Sequence, residues 1–351
     1  MAFFKKMFSL VTILMIAQFP LITAEPIDNE MSMWVKSQVQ NALQAYFGVH
    51  DQADIQIKPL TGGLQATSLL LDVAGKSYVL RIIKESENSL KVQAELYAMQ
   101  QAATAGVAPT IHWVGADGHA ILMDYIAGGT LNIERGKRPE VIVKAAEAMR
   151  KVHALQKNPF RAVSLEEYVE KIYQKYAGET NNLISLESAI AIIREGASKI
   201  KSLGGNLANA HGDLSPRNIV VSDQALYFID WSEGLYTEPF HDLAYYSILM
   251  DYNGNEDSFL LQSYLQRDPT ANEKARFLIA KKMNFARLAM LAQCVGNTLS
   301  SEQEDRILLP LPLKEWSYYA STLADSNDNL SAQFYLEFAQ VAFKSATEIE
   351  I

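Results

Sequence analysis

The chain has 351 residues, more than one average domain, which indicates either two domains or one body with two lobes. Hydrophobic residues make up 49% of it, enough to build a large core, so an intrinsically disordered protein is excluded. The net charge of −9 disfavours binding to nucleic acid, and the single cysteine, Cys294, excludes an internal disulfide framework.

Residues 1–30 have the pattern of an export signal, because two lysines precede an apolar run at residues 7–24. One interpretation is a cleaved secretory signal peptide. Another is an uncleaved anchor, which would bring residues 7–24 into contact with a membrane. A third is that translation begins at Met31 or Met33, just before the first amphipathic helix. The sequence leaves all three open.

The following hundred residues predict a small unit of mixed α and β structure. Apolar residues recur at helical spacing over residues 32–47, and a second helix is predicted over residues 86–105, ending at Gly106. Runs of alternating or apolar residues, separated by turn signals, predict a five-stranded sheet. The predicted strands are 54–60, 67–73, 76–83, 110–114 and 119–124.

From residue 139 onward the chain is predicted to be mainly helical, with apolar residues at helical spacing and a proline at the start of the first helix. The predicted helices are 139–155, 163–176, 182–203, 257–266, 271–298, 313–324 and 330–347. Cys294 falls in an apolar part of one of them and is interpreted as a core residue.

Two acids and an amide within residues 211–231, HGDLSPRNIVVSDQALYFIDW, have the spacing that phosphoryl transfer requires. Asp213 lies on a turn, Asn218 follows it, and two short strands joined by a turn lead to Asp230. In such a hairpin Asn218 and Asp230 come close together. Their oxygens suit Mg²⁺, which is usually held by one or two carboxylates with phosphate oxygens and water. The sequence therefore predicts Asp213 as the catalytic residue and Asn218 and Asp230 as metal ligands.

HGDLSPRN followed by FIDW resembles the aminoglycoside phosphotransferase and choline kinase superfamily, whose members are relatives of the protein kinases. The loop TGGLQAT and the stretch EPFHDLA are closest to bacterial choline kinase-like proteins. The resemblance covers residues 55–250 and implies an α+β, bilobal, protein-kinase-like fold. Its small N-terminal nucleotide-binding lobe, residues 31–126, would hold a five-stranded antiparallel sheet and a helix. Residues 127–351 would form the larger, mainly helical catalytic and substrate-binding lobe.

The resemblance also implies residues that bind the phosphates of ATP. Gly62 and Gly63 would let the backbone approach the phosphate oxygens. Arg81 lies among apolar residues of a strand, so its charge needs a partner or a ligand. In this superfamily the residue at that point contacts the phosphates and pairs with an acid of the next helix. Glu95 is the implied acid, ahead of Glu87.

Further contacts follow from the same resemblance. The segment beginning at Met123 links the two lobes, and its backbone near Tyr125 and Ile126 would hold the adenine edge. Asp242 is expected to cap its helix or to brace the loop that carries Asp213, which is called the catalytic loop below. Ser232 stands where the family has a glutamate, with Glu233 one place later, so the contacts of these two residues are left open.

The implied activity is transfer of the γ-phosphate of ATP, with Mg²⁺, to a hydroxyl of a small molecule. A choline- or ethanolamine-type amino alcohol is the first candidate acceptor, and the rings of Trp316 and Tyr319 are expected to contact it by cation–π attraction. An aminoglycoside is the second candidate. A binding protein that keeps the kinase fold without turnover is the third hypothesis. Use of ATP favours a cytoplasmic location, which conflicts with the export-like N-terminus, so location is left open.

The aminoglycoside alternative requires a broad acidic pocket. The residues that could supply it are Glu233, Glu238 and Asp251.

Overall fold

The computed structural model describes residues 32–48, 55–60, 66–178, 182–303, 313–325 and 330–350. The predictions on residues 1–30, including membrane contact through residues 7–24, lie outside these ranges, as do those on Gly62 and Gly63. Within the described ranges, none of the helices combines the length and the apolar character that crossing a membrane would require.

The N-terminal part contains a five-stranded sheet in the order β1-β2-β3-β5-β4, and every neighbouring pair is antiparallel. This confirms the predicted sheet. The strands are β1 (Ile55–Leu60), β2 (Ala66–Val73), β3 (Lys76–Ile83), β4 (Ile111–Val114) and β5 (Ala120–Asp124).

A helix packs on each face of this sheet. Helix α1 (Met33–Ala42), which continues as a π-helical turn to Phe47, covers the face that carries Leu122. Helix α2 (Ser89–Thr104) lies on the opposite face, to which Ile121 points, as the alternation of side chains along a strand requires. Gly106 follows α2 with a φ of 71°, which confirms the predicted glycine at the helix end.

The C-terminal part is mainly helical, as predicted. Its helices are α3 (Ile133–Gly136), α4 (Pro139–His153), α5 (Leu165–Tyr176), α6 (Leu186–Ser202), α7 (Phe240–Leu249), α8 (Gly254–Leu265), α9 (Ala271–Gln303), α10 (Trp316–Asp325) and α11 (Ala332–Glu348). Helix α8 begins three residues earlier than predicted, because Asn253 and Glu256 form a capping box at its start. Together, the sheet and these helices form the bilobal protein-kinase-like α+β fold that the sequence indicated.

Helix α9 is the central element of the C-terminal core, and α6, α7 and α11 pack around it. Cys294 lies in α9 with 1% of its surface exposed and is a free thiol, in agreement with its interpretation as a core residue.

The rings expected to contact substrate belong to this core instead. Tyr319 is fully buried, and its hydroxyl donates to Glu337 Oε2 at 3.1 Å. Trp316 packs against Phe285, and its ring nitrogen donates to the backbone oxygen of Ile248. The prediction that Tyr319 contacts a substrate is therefore wrong, and Trp316 likewise serves the packing between α10 and its neighbours.

Candidate active site

A short hairpin brings the predicted metal ligands to one end of two strands. Strands β7 (Ile219–Val221) and β8 (Leu226–Phe228) are antiparallel, with Ile219 opposite Phe228. One residue beyond this pair, the amide of Ile229 donates to the backbone oxygen of Asn218 at 2.9 Å. The ladder thus holds Asn218 beside the residue that precedes Asp230, the arrangement predicted from strand alternation.

Asp213 is nine-tenths buried, and each of its carboxylate oxygens accepts a hydrogen bond. Asn218 Nδ2 donates to Oδ2 at 2.8 Å and to the backbone oxygen of Asp213 at 3.0 Å. The hydroxyl of Tyr245, on α7, donates to Oδ1 at 3.0 Å. These bonds fix the carboxylate of Asp213 with respect to Asn218, so the predicted catalytic residue and one predicted metal ligand are held together.

Burial and the negative charge of Asp230 raise the pKa of Asp213 to about 7. Arg287 and the hydrogen bond from Tyr245 oppose this shift without reversing it. A carboxyl group with such a pKa exchanges a proton readily near neutral pH, which is the property that a general base requires.

Asp230 lies opposite a buried ion pair that comes from the N-terminal part. Arg81 donates through Nε to Glu95 Oε1 at 2.8 Å, and its Nη2 lies 3.0 Å from Asp230 Oδ1. Burial opposes the charge on Arg81, but the two carboxylates outweigh it and raise the pKa of the guanidinium. Glu87 instead pairs with Lys91. The structure thus shows the predicted pairing of Arg81 with Glu95.

The backbone of Asp230 is strained, because its φ of 61° is unusual for a residue other than glycine. The pKa of its carboxyl group stays below the usual value despite burial, since Arg81 and hydrogen bonds from Ser232 stabilise the charged form. Asp230 therefore presents an ionised carboxylate at the end of the hairpin.

Asp242 braces the loop that carries Asp213. The backbone amides of His211 and Gly212 donate to its two carboxylate oxygens, at 2.7 and 3.0 Å. The imidazole of His153, at the end of α4, lies 3.2 Å from Oδ2 and also contacts the hydroxyl of Tyr264. The structure therefore shows the brace predicted for Asp242, and His153 supports it.

We expect Asp242→Asn to lower the free energy of unfolding at pH 7 by about 2–4 kcal/mol, because an amide cannot accept both backbone N–H groups. Burial opposes the negative charge, but His153 and Gly212 hold the pKa of Asp242 below its usual value. The stabilisation is therefore present above a pH of about 4 and is lost as the pH falls through the lowered pKa. Urea unfolding at pH 7 and pH 3 measures both effects. A loss below about 0.5 kcal/mol at pH 7, typical of surface substitutions, contradicts the bracing role.

Gly212 is required at its position by both conformation and space. Its φ is +80°, and an added Cβ atom would lie 2.3 Å from the backbone oxygen of Glu233. We expect Gly212→Ala to lower the free energy of unfolding by about 2–4 kcal/mol. Gly234→Ala is the matched control, because the nearest atom to its Cβ would lie 3.7 Å away. Thermal unfolding of both variants checks this, and equal melting temperatures would contradict it.

The segment implied to hold adenine lies beside the hairpin of β7 and β8. Met123 is buried at the end of β5, whereas Tyr125 is 41% exposed directly after that strand. Ile126 is partly buried. A few residues further on, the backbone oxygen of Gly129 accepts from the amide of Val221 at 3.0 Å. The linking segment is thus hydrogen-bonded to β7, the strand that begins directly after Asn218.

The sequence did not identify Arg287, although its surroundings signal a functional position. Arg287 is 2% exposed in α9, donates to the backbone oxygen of Gly212 at 2.9 Å and lies over the ring of Tyr245. It thus supports both the loop and the tyrosine that contact Asp213. A single arginine in the apolar run FARLAMLAQC could have been recognised by the argument applied to Arg81, that a buried charge needs partners.

Glu233 adds a buried acid close to this centre. It is 4% exposed, and burial raises the pKa of its carboxyl group. Arg161 is its nearest cation, at 3.7 Å, and also donates to the backbone oxygen of Ser232. The other two acids expected around an aminoglycoside have their own partners: Glu238 pairs with Arg276, and Asp251 pairs with Lys137.

The available oxygens fit magnesium better than a transition metal. In the described ranges, no three side chains of His, Cys, Asp or Glu come together as a metal site. The ionised carboxylate of Asp230 is a hard ligand, and Asn218 turns its amide nitrogen to Asp213, which leaves its oxygen for a ligand. Such a set matches Mg²⁺, which completes its coordination with phosphate oxygens and water.

Comparison with known proteins shows the family of this chain. A family model described as the phosphotransferase enzyme family matches residues 56–278, and the chain belongs to that family. This confirms the superfamily indicated by the sequence motifs and makes the protein a small-molecule phosphotransferase by class. Among curated protein sequences, no match is found.

Solved structures show the same fold. A choline/ethanolamine kinase family protein from Mesorhizobium loti is 21% identical, with a TM-score of 0.59, over 87% of this chain and 98% of that chain. Choline kinase LicA from Streptococcus pneumoniae is 18% identical, with a TM-score of 0.57, over 83% and 97%. Spectinomycin phosphotransferase, solved with ADP and spectinomycin, is 11% identical, with a TM-score of 0.54, over 87% and 98%. At these identities the likeness is one of fold.

Proposed function

We propose that this protein transfers the γ-phosphate of ATP to a hydroxyl group of a small molecule, and that the acceptor is an amino alcohol of the choline or ethanolamine type. The observation that carries the proposal is the convergence of three groups at the end of the hairpin. Asp213 is bonded to Asn218, and Asp230 lies next to them against the pair formed by Arg81 and Glu95.

In this proposal Asp213 orients the acceptor hydroxyl and accepts its proton. The acceptor oxygen bonds to the γ-phosphorus of ATP, and the bond from that phosphorus to the β–γ bridging oxygen breaks, which releases ADP. Its raised pKa and its fixed hydrogen bonds suit that role. Arg81, held by Glu95, stabilises the phosphate charge. Catalysis then comes mainly from positioning and from electrostatic stabilisation, as in other phosphoryl transfers.

Asn218 and Asp230 would hold Mg²⁺, which neutralises charge on the phosphates when it is bound. In the structure, Asp230 is paired with Arg81 instead. Since Arg81 also has Glu95, it keeps a partner when Asp230 turns to a cation. The backbone of the segment that contains Tyr125 and Ile126 would contact the adenine.

The acidic character of the site supports an acceptor that carries an amino group. Glu233 is a buried carboxylic acid whose charge acts on Asp213, and its nearest cation is 3.7 Å away. A positively charged acceptor would stabilise the ionised form of Glu233. An aminoglycoside, which also carries ammonium groups, is therefore the second candidate. The three acids expected around it are each paired with a cation of the chain, Glu233 at the longest distance.

A substrate panel with ADP release as the readout tests the proposal. The panel contains choline, ethanolamine, an aminoglycoside and spectinomycin, each with ATP and Mg²⁺. We expect turnover of at least one amino alcohol that disappears when Mg²⁺ is chelated. Turnover of the antibiotics alone would establish the second candidate. Binding of ATP that does not depend on Mg²⁺, with no ADP release on any acceptor, would overturn the enzymatic proposal and support a binding protein.

A further inference from the structure

The loop between α4 and α5 connects helix α2, which carries Glu95, to the strand that leads into the catalytic loop. Asn158 is the central residue of this connection. Its Nδ2 atom donates to the backbone oxygen of Ala94, the neighbour of Glu95, at 2.8 Å. Its Oδ1 atom accepts from the amide of Phe160 at 3.0 Å. Both ends of the Asn158 side chain are therefore engaged, one within its own loop and one on α2.

Asn209 holds this loop from the other side. It lies in strand β6 (Ala208–Ala210), which ends one residue before His211. Its Nδ2 atom donates to the backbone oxygens of Leu155 and Gln156, and its Oδ1 atom accepts from the amide of Asn158 at 3.3 Å. The loop is thus bonded to the strand from which the catalytic loop begins.

The orientation of α2 matters because Glu95 is the residue that holds Arg81. The guanidinium lies within 3.0 Å of both Glu95 and Asp230, so a rotation of α2 moves the carboxylate out of reach. The N-terminus of α2 is capped by its own residue Asn88. The hydrogen bond from Asn158 to Ala94 lies in the second turn of α2, directly next to Glu95.

We propose that Asn158 is a positioning residue for nucleotide binding, which holds α2 so that Glu95 keeps Arg81 directed at the phosphates, with Asn209 as its anchor. This rests on the proposed use of ATP. Asn158 and Asn209 are hydrogen-bonded to each other, and Asn209 lies only four residues before Asp213 in the chain. The two asparagines therefore couple the position of α2 to that of Asp213. The N-terminal part then holds the Arg81–Glu95 ion pair at a fixed position relative to the carboxylate of Asp213 in the C-terminal part.

The test uses Asn158→Ser in the full chain. The serine oxygen can still accept from the amide of Phe160, but the side chain is too short to reach Ala94. The matched control is Gln156→Ala, which removes an exposed side chain of the same loop and keeps the backbone oxygen that Asn209 binds. Asn158→Asp is the second variant, since it has the same shape and lacks the donor.

Two quantities are measured for each variant: hydrogen exchange of the amides of α2, and the dissociation constant of ATP with Mg²⁺. We expect Asn158→Ser to speed exchange in α2 and to weaken ATP binding, each by about fivefold to tenfold, which is the effect of losing one hydrogen bond. The melting temperature of Asn158→Ser is expected to lie no more than about 2–4 °C below that of the control, which is the shift that loss of one hydrogen bond produces. In a Glu95→Gln background, Asn158→Ser should weaken ATP binding by less than about twofold, because the two residues act through one contact.

Equal exchange and equal affinity for Asn158→Ser and the control would overturn the proposal, as would a full effect on affinity in the Glu95→Gln background. If the wild type does not bind ATP, the proposed function fails, while the exchange measurement still decides whether Asn158 holds α2. Should Asn158→Ser not fold, Asn158→Asp gives the same decision.

Discussion

Asp213→Asn is expected to lower kcat by about 10²- to 10⁴-fold, the usual contribution of a positioned general base. The variant keeps the shape of the side chain and can retain the hydrogen bond with Tyr245, so that the loop stays in place. It removes the proton acceptor and the negative charge that together orient the acceptor hydroxyl. The KM for ATP is expected to change by less than about threefold, because Asp213 is placed on the acceptor side.

The measurement is steady-state kinetics on the best acceptor of the substrate panel. Asp223→Asn, in the exposed turn of the hairpin that follows Asp213, is the control and should keep wild-type activity. A variant of Asp213 that retains more than about a tenth of the wild-type kcat would exclude Asp213 as the base.

Asp230→Asn is expected to lower kcat by at least about 10²-fold and to raise the Mg²⁺ concentration needed for half-maximal activity. The reason is that the only carboxylate among the two proposed metal ligands is lost. The substitution also removes the negative charge opposite Arg81. The freed guanidinium keeps Glu95, so the N-terminal part of the site should remain folded.

Titration of activity with Mg²⁺, for the wild type and for Asp230→Asn, separates this effect from the one at Asp213. The Asp213 variant should change the Mg²⁺ requirement less than Asp230→Asn does, because it removes no proposed metal ligand and alters only the hydrogen bond that Asn218 donates. If both variants show the same Mg²⁺ dependence as the wild type, Asp230 is not a metal ligand and its role is limited to the ion pair with Arg81.

Much of the fold could be predicted because its signals are local. The glycine turns and the alternation of side chains define the strands of the sheet. Asp213, Asn218 and Asp230 lie within one short segment, in which a single hairpin brings Asn218 and Asp230 together. The position of Arg81 in an apolar strand indicated that its charge needs a partner, and the resemblance to the superfamily implied that Glu95 is this partner.

The contacts that complete the site depend on tertiary packing and could not be predicted in the same way. Tyr245 lies 32 residues from Asp213 along the chain, and Arg287 lies 75 residues from Gly212. The periodicity of apolar residues shows which face of a helix is buried, but it does not specify which distant helix or loop that face contacts. The three-residue strand β6 and its partner β9 (Leu235–Thr237) are likewise too short to show a period of two.

The wrong interpretation of Tyr319 has the same origin. An aromatic residue on a helix suits both a buried core and a site for a cation, and only the packing of α10 against α11 distinguishes them. In contrast, Arg287 carried a usable signal, because a charge within an apolar helix is costly unless it is paired.

The backbone hydrogen bonds between residues 129–131 and strand β7 limit the motion of the N-terminal part relative to the C-terminal part. The amide of Val221 donates to Gly129, and that of Leu131 donates to Ile219, so this stretch must travel with the hairpin as one body. Opening of the nucleotide cleft would then be accommodated over only a few residues, 125–128, between the end of the sheet and the first of these bonds. A pivot so short favours a simple rotation over sliding, and it would place the adenine contacts proposed near Tyr125 and Ile126 close to the axis, where displacement is smallest.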